Sequence, residues 1–170
     1  MTKIIMPNYH DHRVLEMAKD RLMLEEFLVK ESNISVRDEN HRNALYWAIK
    51  YRHKHNVQIL LKYNVSLMVT NDTHALFHTI ESNDIDIFMQ IFALADIDVN
   101  IRDKEGATLI MKAIQNKSIN IARYLINQGA DLYLEDYNGQ TASDYIKECD
   151  HQDLYNLVYY RIVYERSLVA

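Results

Sequence analysis

Residues 98–145 read DVNIRDKEGATLIMKAIQNKSINIARYLINQGADLYLEDYNGQTASDY. One phrase occurs in it twice: Asp98, Asp103, Gly106 and Thr108 recur as Asp131, Asp136, Gly139 and Thr141, always 33 residues later. A fixed period of that size marks a repeat architecture, in which each unit is one supersecondary element too small to bury its own apolar face. Thr108 is placed to cap a first helix over Leu109–Gln115. Ser118 is placed to cap a second, which presents Ile121, Ala122, Leu125 and Ile126 before Gly129 ends it.

The pattern D-x-x-G-x-T, an apolar inner-helix face, a second helix ending in leucines and then G-A-D resembles the ankyrin repeat. The resemblance covers roughly residues 11 to 160. It implies an all-α solenoid of about five helix-turn-helix units, with a finger projecting at right angles to each helix pair. Partners would then lie on the concave face made by fingertips and first helices.

Worked outward, the phrase divides the chain into an N-terminal arm (residues 1–10) and one domain (11–170). Units are expected at 11–37, 38–70, 71–102, 103–135 and 136–170, the first and last serving as caps. In the first, apolar residues from Val14 to Leu28 suit two short helices broken near Lys19 and Asp20. In the second, His41 stands where Gly106 does and Asn43 stands in the capping place of Thr108; a helix over about His55–Lys62 buries Val57, Leu60 and Leu61 and ends at Asn64, the residue after glycine that best tolerates a left-handed backbone. The third unit diverges most, lacking the glycine and carrying His74 at the threonine place; Leu45 to Leu76 spans 31 residues and Leu76 to Ile110 spans 34, so its turn is shortened and the next connection lengthened. In the last, Leu154, Leu157, Val158, Ile162 and Val163 keep helical spacing past the usual end of a repeat.

With 170 residues, 48% of them hydrophobic, the chain can form a core without staples. Cys149, the single cysteine, is expected in the first helix of the last unit as an inert thiol; no intramolecular disulfide is possible. The start, MTKIIMPNYHDHR, has too short an apolar run for a secretory leader, and no segment reaches a membrane-spanning length, so the expected location is cytoplasmic, in the source cell or in a cell the protein is delivered into. A formal net charge of −5 speaks against nucleic acid and suits a basic protein partner.

No P-loop, dinucleotide fingerprint, HExxH or GxSxG is present, so neither an enzyme nor a cofactor is expected. The histidines at 10 and 12, 53 and 55, and 74 and 78 lack a convincing third ligand, and His74 is better read as a cap, so no metal is expected. Asp38, Asp103 and Asp136 are finger residues whose carboxylates would accept from backbone amides of the turn.

Carried over position by position, the resemblance implies a partner-binding set of Arg42, Lys50, Tyr51, Tyr63, Glu81, Ser82, Glu105, Gln115, Asn116, Tyr137 and Asn138. Glu39, Asn40, Thr73, Lys104, Ala107, Gln140 and Glu148 line the same face. Arg42, Tyr51, Tyr63 and Tyr137 are the preferred anchors, because Arg and Tyr dominate interface energetics. The tyrosines near the C-terminus, Tyr155, Tyr159, Tyr160 and Tyr164, suit packing with a wet hydroxyl or an exposed aromatic patch. Two functions follow: an inhibitor or immunity-type protein that covers a toxin or enzyme, or an adaptor or delivered effector that docks on a host protein.

Overall fold

The computed structural model describes residues 13–19, 24, 25, 28, 34–94 and 97–167. The N-terminal arm, His10, His12 and most of the first unit's second helix lie outside them, as do residues 95 and 96 of the divergent connection. Among the described residues the regular elements are helices: α1 (Arg13–Lys19), α2 (Ala44–Lys50), α3 (Lys54–Lys62), α4 (Ala75–Glu81), α5 (Ile85–Leu94), α6 (Leu109–Gln115), α7 (Ile119–Asn127), α8 (Ala142–Glu148) and α9 (Gln152–Ser167). The chain is an all-α repeat solenoid. First helices stack α1–α2–α4–α6–α8, and second helices stack α3–α5–α7–α9. One continuous apolar core, from Val14 to Ile162, runs between the layers.

Seven-residue first helices are too short to be stable alone, so tertiary packing must hold them. In α6, Leu109, Ile110, Met111, Ala113 and Ile114 are all buried, and α4 is buried from Ala75 through Ile80.

Backbone geometry repeats more faithfully than the residues do. At the fingertips His41 (φ 59°) adopts the left-handed conformation of Gly106 (φ 79°) and Gly139 (φ 77°). At the ends of second helices Asn64 (φ 56°) does the same for Gly129 (φ 85°), as expected. A further set was not foreseen: Arg52, Asn83 and Lys117, in the turns between paired helices, are also left-handed, at φ 50° to 56°. Arg52 then donates through Nη2 to the Ser82 carbonyl at 2.7 Å, linking successive turns.

Several expectations need correction. Thr108 occupies the N-cap position, but its hydroxyl is buried without a hydrogen-bond partner. Ser118 Oγ makes no cap either; it donates at 3.4 Å to the Ile80 carbonyl of the preceding unit, which also accepts from the Asn83 amide at 3.0 Å, and so links successive units. In α3, Ile59 is buried and Leu61 only half-buried, since Leu61 falls at the edge of the inward stripe. Cys149 follows α8 as its C-cap, with Sγ 3.5 Å from the Ile114 carbonyl. Helix α9 does run long, at 16 residues, but Val163 faces outward at 45% exposure.

Candidate protein-binding groove

Each finger is built on one aspartate. Asp38 Oδ1 accepts from the amides of Asn40 (2.9 Å) and Arg42 (3.0 Å), Asp103 Oδ1 from Glu105 and Ala107 (both 2.9 Å), and Asp136 Oδ1 from Asn138 (2.8 Å) and Gln140 (2.9 Å). The second carboxylate oxygen reaches back to the first helix at an offset of nine residues. Trp47 Nε1 donates to Asp38 Oδ2 at 3.2 Å, Lys112 Nζ to Asp103 Oδ2 at 3.2 Å and Tyr145 Oη to Asp136 Oδ2 at 2.9 Å. One aspartate therefore ties turn to helix, whichever donor the unit supplies.

The divergent unit departs from this scheme. Its turn closes with the same bond, Val69 N–H to the Thr73 carbonyl at 2.9 Å, so Val69 stands at the aspartate's place. Thr70 Oγ1 substitutes as the amide acceptor, taking bonds from Asp72 (3.3 Å) and Thr73 (3.0 Å). His78, nine residues beyond Val69, finds no carboxylate there. Its Nε2 is buried without a partner, Nδ1 faces Glu81 Oε2 at 3.1 Å, and the ring stacks on Tyr46 at 4.3 Å. His74 Nδ1 accepts from the Leu76 amide at 3.2 Å as the N-cap of α4.

The fingers and first helices of the third and fourth units enclose a groove of about 330 Å³, lined by Asp72, Thr73, Phe77, Glu81, Asp103, Lys104, Glu105, Lys112, Gln115 and Asn116. Of the anticipated residues it gathers Glu81, Glu105, Gln115 and Asn116, with Thr73 and Lys104 beside them. Gln115 also borders the next depression, which leads to Gln140, Tyr145 and Glu148. Its lysines are already engaged: Lys104 pairs with Asp72 at 3.0 Å, and Lys112 with Glu105 at 2.9 Å as well as with Asp103. Burial opposes the Lys112 charge, but the Glu105 and Asp103 carboxylates outweigh it and raise its pKa.

Other anticipated residues sit elsewhere. Arg42 is committed inside its own unit, with Nε 2.8 Å from Asp38 Oδ2 and the guanidinium over the Trp47 ring at 4.4 Å. Lys50 is exposed, 5.1 Å from the Trp47 ring centre, and Tyr51 stacks on Trp47 at 6.0 Å. Ser82 caps the C-terminus of α4 and donates to the Thr79 carbonyl at 3.0 Å. Tyr63 is the C-cap of α3, half-buried against the core in the second-helix layer, so it does not join the groove. Ala107 is fully buried, because the turn folds it under the Asp103 carboxylate. Tyr137 is 75% exposed at its fingertip beside Asn138; its amide donates to the Glu105 carbonyl at 3.1 Å, and its ring lies so close over Gly106 that a Cβ there would stand 2.6 Å from it. Sequence reading missed Phe77 and Asp72 as groove residues and Trp47 and Lys112 as donors; for the two donors the constant offset from the finger aspartate was the available signal.

The bond between Tyr145 and Asp136 carries a pH signature. Burial, and then the Asp136 carboxylate, push the Tyr145 pKa up to about 12. The Gln140 amide, with Tyr145 and Asn138, holds Asp136 below its ordinary value. A raised tyrosine pKa contributes stability that is present below about 10 and lost as pH rises through about 12; a lowered aspartate contributes above about 3.9 and loses it as pH falls through its folded value. In a phenolate absorbance titration one late-titrating tyrosine is expected, absent in Tyr145→Phe. A single titration of every tyrosine near about 10 would show that the bond does not form in solution.

Among the described residues no group of three or more His, Cys, Asp and Glu could hold a metal, and no helix is long and apolar enough to cross a membrane. A family model of ankyrin repeats (three copies) matches residues 14–103 and 76–164. The potassium channel AKT2/3 of Arabidopsis thaliana is 24% identical over 161 residues, covering 92% of this chain and 20% of the channel. The putative ankyrin repeat protein L371 of Acanthamoeba polyphaga mimivirus is 23% identical over 143 residues (82% of this chain, 19% of that protein). The putative ankyrin repeat protein FPV034 of Fowlpox virus (strain NVSL) is 21% identical over 123 residues (72% and 27%). The chain thus spans between 19% and 27% of the length of these relatives. With the repeat period, the aspartate-built fingers and a family match along most of its length, this chain belongs to the ankyrin-repeat family, a protein–protein interaction module.

Proposed function

We propose that residues 11–170 act as one binding domain that holds a basic partner protein in the groove between the third and fourth units, and that covering the partner's surface is the output, as in an inhibitor. The observation behind this is the groove's charge. Four carboxylates line it against two lysines, and both lysines are neutralised from within. Glu81 is exposed at the rim, with Oε2 3.1 Å from the neighbouring His78 Nδ1, so a lysine or arginine of a partner would find an acceptor there. Gln115 and Asn116 add exposed amides, and Tyr137 offers an exposed ring at the next fingertip, against Glu105 and Gly106.

Affinity capture followed by mass spectrometry should recover a partner with a basic surface, and the association rate should fall as salt rises. Glu81→Lys should weaken the purified pair about tenfold or more, since like charge at an interface costs several kcal/mol. An unchanged affinity in that variant, or an acidic partner, would refute the groove assignment. Loss of the partner's own activity in the complex supports inhibition, whereas full activity in the complex identifies an adaptor.

A further inference from the structure

The first helices end on a row of residues that the core does not use. Helices α2, α4, α6 and α8 have seven residues each, and their last residues are Lys50, Glu81, Gln115 and Glu148, all four exposed. Lys19, at the same place in α1, is paired with Glu16. Glu81 and Gln115 share the acidic groove of about 330 Å³, and Gln115 and Glu148 share the next depression, of about 280 Å³. From Glu81 to Glu148 the row therefore follows one continuous track.

Helix stability does not account for these residues. The C-terminal end of a helix carries partial negative charge, which suits Lys50 and opposes Glu81 and Glu148. A residue set against its local preference is expected where function compensates. Both carboxylates also keep acceptor capacity. Glu81 Oε2 lies 3.1 Å from His78 Nδ1 and Glu148 Oε1 accepts from Gln140 Nε2 at 3.3 Å, while the second oxygen of each accepts from no described residue. Lys50 Nζ, 5.1 Å from the Trp47 ring centre, pairs with no described carboxylate.

Spacing converts this order of charges into a pattern on the partner. Packed helices lie about 8–10 Å apart, and an extended chain advances about 3.3 Å per residue, so every third residue of an extended segment comes opposite the next unit. A helical segment does not fit: about 10 Å of a helix about 10–12 Å across occupies about 800–1,100 Å³, against about 330 Å³ in the groove. Resting on the acidic-groove reading above, we infer that the partner enters as an extended segment with four residues at intervals of three. An acidic residue lies opposite Lys50, a basic one opposite Glu81, an amide or hydroxyl opposite Gln115 and a second basic one opposite Glu148. The order of charges, and not basic character alone, then selects the partner.

The probe is a labelled synthetic peptide of about twelve residues, serine and threonine throughout except for glutamate, arginine, asparagine and arginine at intervals of three. It is made in both orders, since a segment can run either way along the track, and binding to the full chain is read by fluorescence anisotropy. The better order should bind about tenfold or more tightly than a peptide of the same composition with the four residues side by side. Lys50→Glu should weaken the spaced peptide about tenfold, and lysine in place of the peptide's glutamate should restore binding. Glu148→Lys should do the same at the terminal arginine, with glutamate there as the rescue. Equal binding of spaced and clustered peptides, both weakened by Glu81→Lys, overturns the spacing and leaves the acidic groove as the binding site. Bound peptides indifferent to Glu81→Lys remove the groove reading as well. No binding by any peptide overturns the extended segment and leaves the groove to a folded basic surface, which affinity capture reads separately.

Discussion

Leu60→Ala is expected to lower the unfolding free energy by about 2–5 kcal/mol, read as a reduced midpoint in chemical denaturation. Leu60 is fully buried on α3, which packs on α2 of its own unit and on α5 of the next. The cavity left by the substitution would therefore fall in core shared by two units. In a solenoid each unit touches only its neighbours, so stability is close to a sum of unit and interface terms. The same substitution should thus separate residues 38–70 from 71–102 in their unfolding and broaden or split the transition. Leu61→Ala, one residue on and half-buried, is the control and should cost much less. A loss below about 1 kcal/mol at Leu60 would place it outside the core and contradict the repeat register.

Asn43→Ala is expected to cost about 2–4 kcal/mol. Asn43 is 1% exposed and makes three side-chain hydrogen bonds. Its Oδ1 accepts from the Tyr46 amide at 3.0 Å and caps α2, while Nδ2 donates to the Ser66 carbonyl at 2.8 Å and the Met68 carbonyl at 3.2 Å. The cap alone accounts for about 1 kcal/mol. The Ser66 carbonyl would lose its side-chain donor, while the Met68 carbonyl keeps the bond from Arg37 Nη2 at 2.8 Å; with the burial of Asn43 itself this adds about 1–3 kcal/mol. Asn43→Thr separates these contributions. A threonine retains an oxygen able to cap but is too short to reach both carbonyls, so an intermediate loss should appear in the same denaturation experiment. Equal losses for alanine and threonine would assign the whole effect to the carbonyl bonds.

Most of the fold was legible because the physics that specifies it is local. An aspartate two and four residues before the amides it accepts, a cap beside a short apolar run and a residue tolerant of positive φ all act within a few positions. His41 and Asn64 could thus be matched to glycine places even though neither is glycine, and both adopt the left-handed backbone. Arg52 and Lys117 gave no such signal. Their residue type disfavours positive φ, and the turn holds them there because the helices on either side are already fixed by the stack.

The groove was harder to read for the same reason. Arg42 is held between Asp38 and the Trp47 ring within its own unit, and Tyr63 directly follows a helix read from the sequence; what stacking alone decided is that neither side chain lies in the groove. The shortened third turn also concealed that Val69 takes the aspartate's place, leaving the His78 Nε2 without an acceptor. Residue order alone carried the period, the all-α class, the finger aspartates and the long final helix, since each rests on contacts within one unit or on a pattern repeated between units. Which side chains remain open to a partner, that Lys104 is neutralised by Asp72 and which face of α9 meets water were settled only by the stacking of units, because these depend on residues about one repeat apart, whereas Lys112 is paired inside its own unit.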